Sequence, residues 1–178
     1  MKKTKISAIK TLLLLFTNLM SFTFFVAQNY KINVDKALVE FNYVSEETTG
    51  TIKGVTGEIS FNPSDLSSFK FEGNANIKSI NTSNKMRDSH LNAEDYFHTE
   101  LYPHISFVAK QLAKKDGQFV LKGDMTIKDI VKNEEILFNF EDGAFSGRCV
   151  MYSNDYNIHT QKTREKSKIL IKITVPVL

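Results

Sequence analysis

Apolar and polar residues alternate through most of the chain beyond residue 30. Val39, Phe41 and Tyr43 alternate with Glu40 and Asn42. The same period of two returns in six further segments, at residues 55–61, 69–77, 105–109, 119–127, 136–140 and 169–177. Alternation of this kind predicts antiparallel strands with one buried face. The pattern therefore indicates an all-β domain of seven or eight strands.

Two dipeptides mark hairpin turns between these strands, Asp116-Gly117 and Asp142-Gly143. Three glycines, Gly57, Gly73 and Gly123, fall on the inward-facing parity of their strands. Glycine inside a strand marks a sharp bend, or a point where a ligand or another backbone approaches closely. Both a sandwich and a closed barrel accommodate this many strands. The glycines favour an antiparallel barrel of about eight strands, with room inside for side chains or one small ligand.

One segment, at roughly residues 83 to 97, has helical character, and Thr82 or Ser83 is its expected N-cap. We expect this short helical connector to cross one end of the barrel as a lid or a plug.

The first 27 residues differ from the rest of the chain. Residues 1–10 carry four lysines and no acidic residue, and residues 11–27 form an almost uncharged apolar run. This is the pattern of a secretory signal peptide, with a cut near Ala27. It predicts an exported protein, periplasmic or secreted, with residues 28–178 as its single domain. An uncleaved membrane anchor is the alternative, because the apolar run is at the lower limit for spanning a bilayer.

Removing this segment changes the charge balance. The whole chain has 23 Lys and Arg against 20 Asp and Glu, but without Lys2, Lys3, Lys5 and Lys10 the balance is 19 against 20. A nucleic-acid binder needs a basic face to neutralise phosphates, so the composition argues against nucleic acid as a partner. Cys149 is the only cysteine, which excludes an intramolecular disulfide, and it is expected to be a small buried apolar residue.

The stretch MRDSHLNAEDYFHTELYPHISF, residues 86–107, holds three of the four histidines. His90, His98 and His104 are eight and six residues apart, and this spacing places no two imidazoles on one strand or helix face, as zinc sites commonly do. We therefore expect no metal site here.

The same stretch also lacks the spacing of a catalytic site. Asp88, Ser89 and His90 are consecutive and rarely point at one another as a triad requires. Glu94 and Asp95 are neighbours on the expected helix and diverge, whereas a glycosidase needs two carboxyls facing across roughly 5 to 10 Å. The residues alone favour a structural connector and a non-enzymatic protein.

At this stretch the chain resembles the YceI-like family of lipid- or polyisoprenoid-binding proteins. The segments that carry the resemblance are Lys78-Ser-Ile-Asn-Thr82, Arg87-Asp-Ser-His-Leu91, Glu94-Asp-Tyr-Phe97, Tyr102-Pro-His-Ile-Ser-Phe107, Gly54-Val-Thr-Gly57 and Gly123-Asp-Met-Thr-Ile127. Two places depart from the family pattern. Asp35-Lys-Ala-Leu38 lacks a His-Ser pair, and Ser153-Asn-Asp-Tyr-Asn157 lacks an arginine and a glycine.

The resemblance implies a lipocalin-like barrel whose apolar lumen holds an isoprenoid or other lipid-like amphiphile, without catalytic residues, cofactor or metal. Arg87 and Asp88 would then form an ion pair that braces the barrel, while a head-group or lid contact from Arg87, Asp88 or His90 is the functional alternative. The inward parity supplies nine candidate lumen residues: Phe41, Phe61, Phe71, Ile77, Phe107, Phe119, Leu121, Met125 and Phe138.

Two rival functions stay open at this point. One is a structural or stress-related envelope protein with a filled core. The other is a lipid-acting hydrolase or isomerase, which requires Asp88 and His90 to converge on the lumen with His98 or His104. A homodimer and transient contact with a membrane also stay open.

Overall fold

A computed structural model of the protein describes residues 27–178. The predicted signal peptide covers residues 1–27, and all of it except Ala27 lies outside the described residues. Within the described part, no helix combines the length and the apolarity needed to cross a membrane.

The described residues form nine strands and one α-helix. The strands, in chain order, are β1 (Gln28–Tyr30), β2 (Leu38–Tyr43), β3 (Thr48–Phe61), β4 (Lys70–Asn81), β5 (His104–Lys115), β6 (Gln118–Ile127), β7 (Ile130–Glu141), β8 (Ala144–Tyr152) and β9 (Lys168–Pro176). The helix, α1 (Lys85–Asn92), lies between β4 and β5.

Eight of these strands close into an antiparallel barrel in the order β3-β2-β9-β8-β7-β6-β5-β4, and β3 pairs with β4 to complete the ring. This confirms the fold predicted from the alternation. The short strand β1 is additional: it pairs with the last three residues of β3, beyond the part that β2 covers. Closure leaves the barrel wall without long unpaired edges, which would otherwise invite pairing with other chains.

The two predicted hairpins connect their strands with loops of two residues. Asp116 and Gly117 both have positive φ, at 51° and 81°, and Asp142 and Gly143 have φ of 50° and 71°. Positive φ at both central residues is the type I′ geometry, which matches the twist of the flanking strands.

The helix is shorter than expected and begins later. Its N-cap is Asn84, whose Oδ1 accepts from the backbone N–H groups of Met86 and Arg87, each at 3.1 Å. The expected caps were Thr82 and Ser83. Thr82 is buried and its hydroxyl serves side chains instead, and Ser83 has a φ of 59°. The helix ends at Asn92, and turns carry the chain from there to β5.

One end of the barrel is filled by aromatic rings. Phe61 is fully buried, and its ring centroid lies 5.0 to 6.4 Å from the centroids of five other phenylalanine rings. These partners are Phe71, Phe119, Phe138, Phe140 and Phe145. We call these six rings the aromatic floor. The other end carries α1 and the β8–β9 connection.

Two of the three inward glycines lie too close to the neighbouring strand to carry a side chain. Gly57 has a φ of +151°, and a Cβ there would overlap the carbonyl oxygen of Glu72 on the paired strand. A Cβ on Gly123 would overlap the carbonyl oxygen of Val108. Glycine at both positions therefore allows the backbones of neighbouring strands to approach closely.

We expect Gly57→Ala to lower the free energy of unfolding by at least about 3 kcal/mol, since it combines backbone strain with a clash that side-chain rotation cannot relieve. Gly73→Ala is the matched control on the facing residue of β4, where a Cβ meets nothing closer than the Thr56 carbonyl oxygen at 3.9 Å. It should change stability by less than about 1 kcal/mol. Urea denaturation measures both, and equal effects would refute the explanation for Gly57.

Candidate functional site

The barrel encloses a cavity of about 280 Å³. Its wall is almost entirely apolar and is built from inward-facing residues of the strands, among them Val55, Leu121, Ile136 and Ile173. Phe71, Phe138 and Phe145 of the aromatic floor line its closed end. The helical end is lined by Leu91 and Phe97 together with several polar side chains.

Six of the nine residues predicted from parity line this cavity. They are Phe41, Phe71, Phe107, Leu121, Met125 and Phe138. The other three face inward without lining it. Phe61 and Phe119 pack within the aromatic floor, and Ile77 packs with Ile52 and Ile80 in a second buried cluster. Parity identifies the inner face of a strand but not the depth of a residue along the barrel. A role in binding stays a prediction for all nine.

Arg87 and Asp88 do not form the predicted ion pair; Thr82 lies between them. Arg87 Nε donates to Thr82 Oγ1 at 2.8 Å, and Arg87 Nη2 donates to the Thr82 carbonyl oxygen at 2.9 Å. Asp88 Oδ1 accepts from the Thr82 hydroxyl at 2.6 Å and from its backbone N–H at 2.9 Å. This network fixes the start of α1 against the end of β4. Arg87 also lines the cavity.

The histidines of the 86–107 stretch do not converge on the cavity. His90 and His104 are exposed, and the ring of His98 lies 6.0 Å from that of Tyr102. Asp88 is engaged with Thr82. The convergence on the lumen of Asp88 and His90 with His98 or His104, which the lipid-acting alternative required, is therefore absent. Among residues 27–178, no group of three or more His, Cys, Asp or Glu side chains is placed to hold a metal ion.

The fourth histidine, His159, lines the cavity at the helical end and was not among the predicted site residues. Its Nε2 lies 2.6 Å from Glu46 Oε1, and its side chain is 37% exposed. The ring is stacked 5.9 Å from Tyr96 and lies edge-on 5.7 Å from Tyr43. Because lining side chains reach solvent here, we call this end the mouth of the cavity.

Local contacts order the β8–β9 connection, which carries His159. Asp155 receives the guanidinium of Arg164, with Nη2 2.6 Å from Oδ2, although no arginine precedes it in the motif. Asn157, the position at which the sequence departs from the expected glycine, adopts a φ of 52°, a conformation that asparagine tolerates. His159 itself has a φ of 48°. The departures from the family motif therefore still permit an ordered turn.

Two buried polar groups lie deeper in the cavity wall. Burial is the main cause that raises the pKa of Tyr156, and the hydrogen bond from its hydroxyl to Glu134 Oε1 at 2.8 Å adds to this. Burial likewise raises the pKa of the Cys149 thiol to about 12, with a smaller contribution from Glu134. Both groups are therefore neutral at physiological pH.

We expect Cys149 to be inert in the folded protein. With a pKa of about 12, roughly one thiol in ten thousand is ionised at pH 8, whereas a free cysteine is ionised in roughly a quarter of molecules. Reaction with a disulfide reagent at pH 8 should accelerate about a thousandfold when guanidinium chloride unfolds the chain. Rates within tenfold of each other would contradict the burial of this thiol.

The fold and the cavity together define a class, the closed antiparallel barrels of eight strands with an apolar interior. A family model described as the YceI-like domain matches residues 30–177. The chain belongs to this family.

Relatives and solved structures agree. The chain is 30% identical to a UPF0312 protein of Photorhabdus laumondii over 126 residues, 66% of each chain. It is 28% identical to Protein YceI of Escherichia coli O157:H7 over 165 residues, 84% of this chain and 86% of the relative. BcnA of Burkholderia cenocepacia has the same fold, with a TM-score of 0.70 at 18% identity, covering 82% of this chain and 98% of BcnA. A domain from Saccharophagus degradans, described as polyisoprenoid binding, matches with a TM-score of 0.55 at 10% identity, covering 84% and 97% of the two chains.

Proposed function

We propose that this chain is an exported, non-enzymatic protein that holds the tail of an isoprenoid or similar lipid in its barrel cavity, for transport or storage. The observation that carries the proposal is the apolar cavity of about 280 Å³, closed by the aromatic floor and reached through a polar mouth. Export rests on the charge and apolar pattern of residues 1–27 alone.

The size and chemistry of the cavity suit one narrow apolar tail. Typical small-molecule pockets span about 300–1,000 Å³, so this cavity lies just below that range. Each buried methylene contributes about 0.8 kcal/mol, and several are needed to offset the cost of association and of ordering a flexible tail. The polar mouth leaves a place for a head group at the solvent boundary.

Two further observations support the proposal. The Saccharophagus domain of the same fold is described as binding polyisoprenoids. None of the four side chains that the catalytic alternative needs lines the cavity, which favours binding without catalysis. These are Asp88, His90, His98 and His104. A structural protein with a filled core would need a barrel without a cavity of this size.

Native mass spectrometry tests this proposal. The full chain is expressed in an exporting host, and the processed protein is purified without detergent. We expect a mass consistent with a cut near Ala27 and a second species heavier by one lipid, which organic solvent extracts. An apo mass that persists after isoprenoids and other lipids are added would contradict the proposal.

A further inference from the structure

The mouth of the cavity contains a small set of charged side chains. Among residues 27–178, the Asp, Glu, Lys and Arg residues that line the cavity are Glu46, Glu72 and Arg87. Glu72 is part of the barrel wall, and its carboxylate lies 3.4 Å from the Lys70 ammonium. The charge available to a ligand head group at the mouth therefore comes from Glu46 and Arg87.

The charge of Arg87 is balanced locally. The Thr82 hydroxyl accepts from Arg87 and donates to Asp88, so a carboxylate lies one hydroxyl away from the guanidinium. All three nitrogens of the guanidinium already donate to the protein: Nε and Nη2 to Thr82, and Nη1 to Thr48 Oγ1 at 3.4 Å. Few N–H groups of Arg87 are therefore left to bind a ligand head group.

Among residues 27–178, no Lys or Arg side chain pairs with Glu46, and its ionisable partner is His159. Its Oε1 lies 2.6 Å from His159 Nε2 and accepts from Gln161 Nε2 at 3.1 Å. No hydrogen bond to its Oε2 is present within residues 27–178, and the side chain is 44% exposed. Tyr96 stacks on the His159 ring and Tyr43 meets it edge-on, so the partner of the Glu46 carboxylate is packed on two sides.

From this arrangement we propose that Glu46, oriented by His159, is a head-group subsite that selects amphiphiles with an uncharged head carrying a hydroxyl or amide donor. Such a head donates to the carboxylate at the solvent boundary while the tail enters the cavity. An anionic head meets the Glu46 carboxylate, which no Lys or Arg of the described residues balances, and it is disfavoured because like charges brought together at an interface are repelled. This inference rests on the proposed function and specifies the ligand class of the same site.

The test uses two amphiphiles with the same tail, dodecanol and dodecanoate, each displacing the uncharged dye N-phenyl-1-naphthylamine from the processed protein. The quantity of interest is the ratio of their dissociation constants in each variant, since the alcohol also differs from the acid in water solubility. E46Q removes the charge at the mouth. E47Q is the matched control, because it makes the same charge change at the next residue, which is exposed and does not line the cavity.

We expect E46Q to reduce the preference for dodecanol over dodecanoate at least fivefold, and E47Q to leave it within a factor of two of the unmodified protein. Equal ratios in both variants would overturn the subsite while leaving the carrier function intact. If neither the dye nor either amphiphile binds the unmodified protein, the proposed function fails and the subsite fails with it. Should E46Q lose its fold by circular dichroism, H159Q replaces it, and an unchanged ratio in H159Q overturns the orienting role of His159.

Discussion

Replacing Gly73 by leucine should remove most lipid binding while the barrel stays folded. Gly73 lines the cavity and has no backbone conformation that demands glycine. A Cβ there meets nothing closer than 3.9 Å, so a leucine side chain can extend into the open space. It would displace three or four methylenes of a bound tail, a loss of about 3 kcal/mol or roughly a hundredfold in affinity.

Stability should not suffer from this change. Glycine weakens a strand relative to residues with a side chain, so Gly73→Leu is expected to leave the free energy of unfolding unchanged or raise it by about 1 kcal/mol. Dye displacement and urea denaturation measure the two quantities. Lys78→Leu on the same strand is the control, since Lys78 is exposed and does not line the cavity. Full binding by Gly73→Leu would show that the ligand lies elsewhere.

Phe61→Ala should be the more damaging change to the fold. Phe61 is fully buried at the centre of the aromatic floor and touches five other rings. Truncating a phenylalanine in such a site leaves a void and typically costs about 3 to 5 kcal/mol. Since stabilities of single domains are about 5 to 15 kcal/mol, a substantial part of the total would be lost.

Phe107→Ala is the matched control for Phe61. Phe107 is partly buried and lines the cavity, so its ring already has unfilled space on one side. We expect it to lose less than half as much stability as Phe61→Ala in urea denaturation, but to weaken lipid binding. The reverse order of stabilities would show that the floor is not where the structure places it.

Seven of the eight barrel strands were predicted, because each has to bury one face and that requirement appears directly as alternation; β8 was not among the predicted segments. The positions of Asp116-Gly117 and Asp142-Gly143 followed from turn geometry that few other dipeptides adopt. Depth along the barrel axis has no such signature. Phe61, Ile77 and Phe119 share the inward parity of Phe71 and Phe107, yet only the last two line the cavity.

The polar contacts were harder to predict from the sequence. The family resemblance implied an ion pair between Arg87 and Asp88, whereas both side chains bond to Thr82, five and six residues earlier. His159 was missed because it lies in an irregular connection without periodicity, and its partner Glu46 is more than a hundred residues away in the chain. The only local sign was the departure from the family motif at residues 153–157.

Calorimetric titration of the processed protein with straight-chain alcohols of increasing length tests the central claim most directly. A tail bound in an apolar cavity with a closed floor should gain up to about fourfold in affinity per added methylene until it reaches the aromatic floor, and then stop gaining. The heat capacity change on binding should be negative while the affinity rises, since apolar surface is being buried. An affinity that grows without a limit, or no measurable binding at any length, would contradict a cavity that holds a lipid tail.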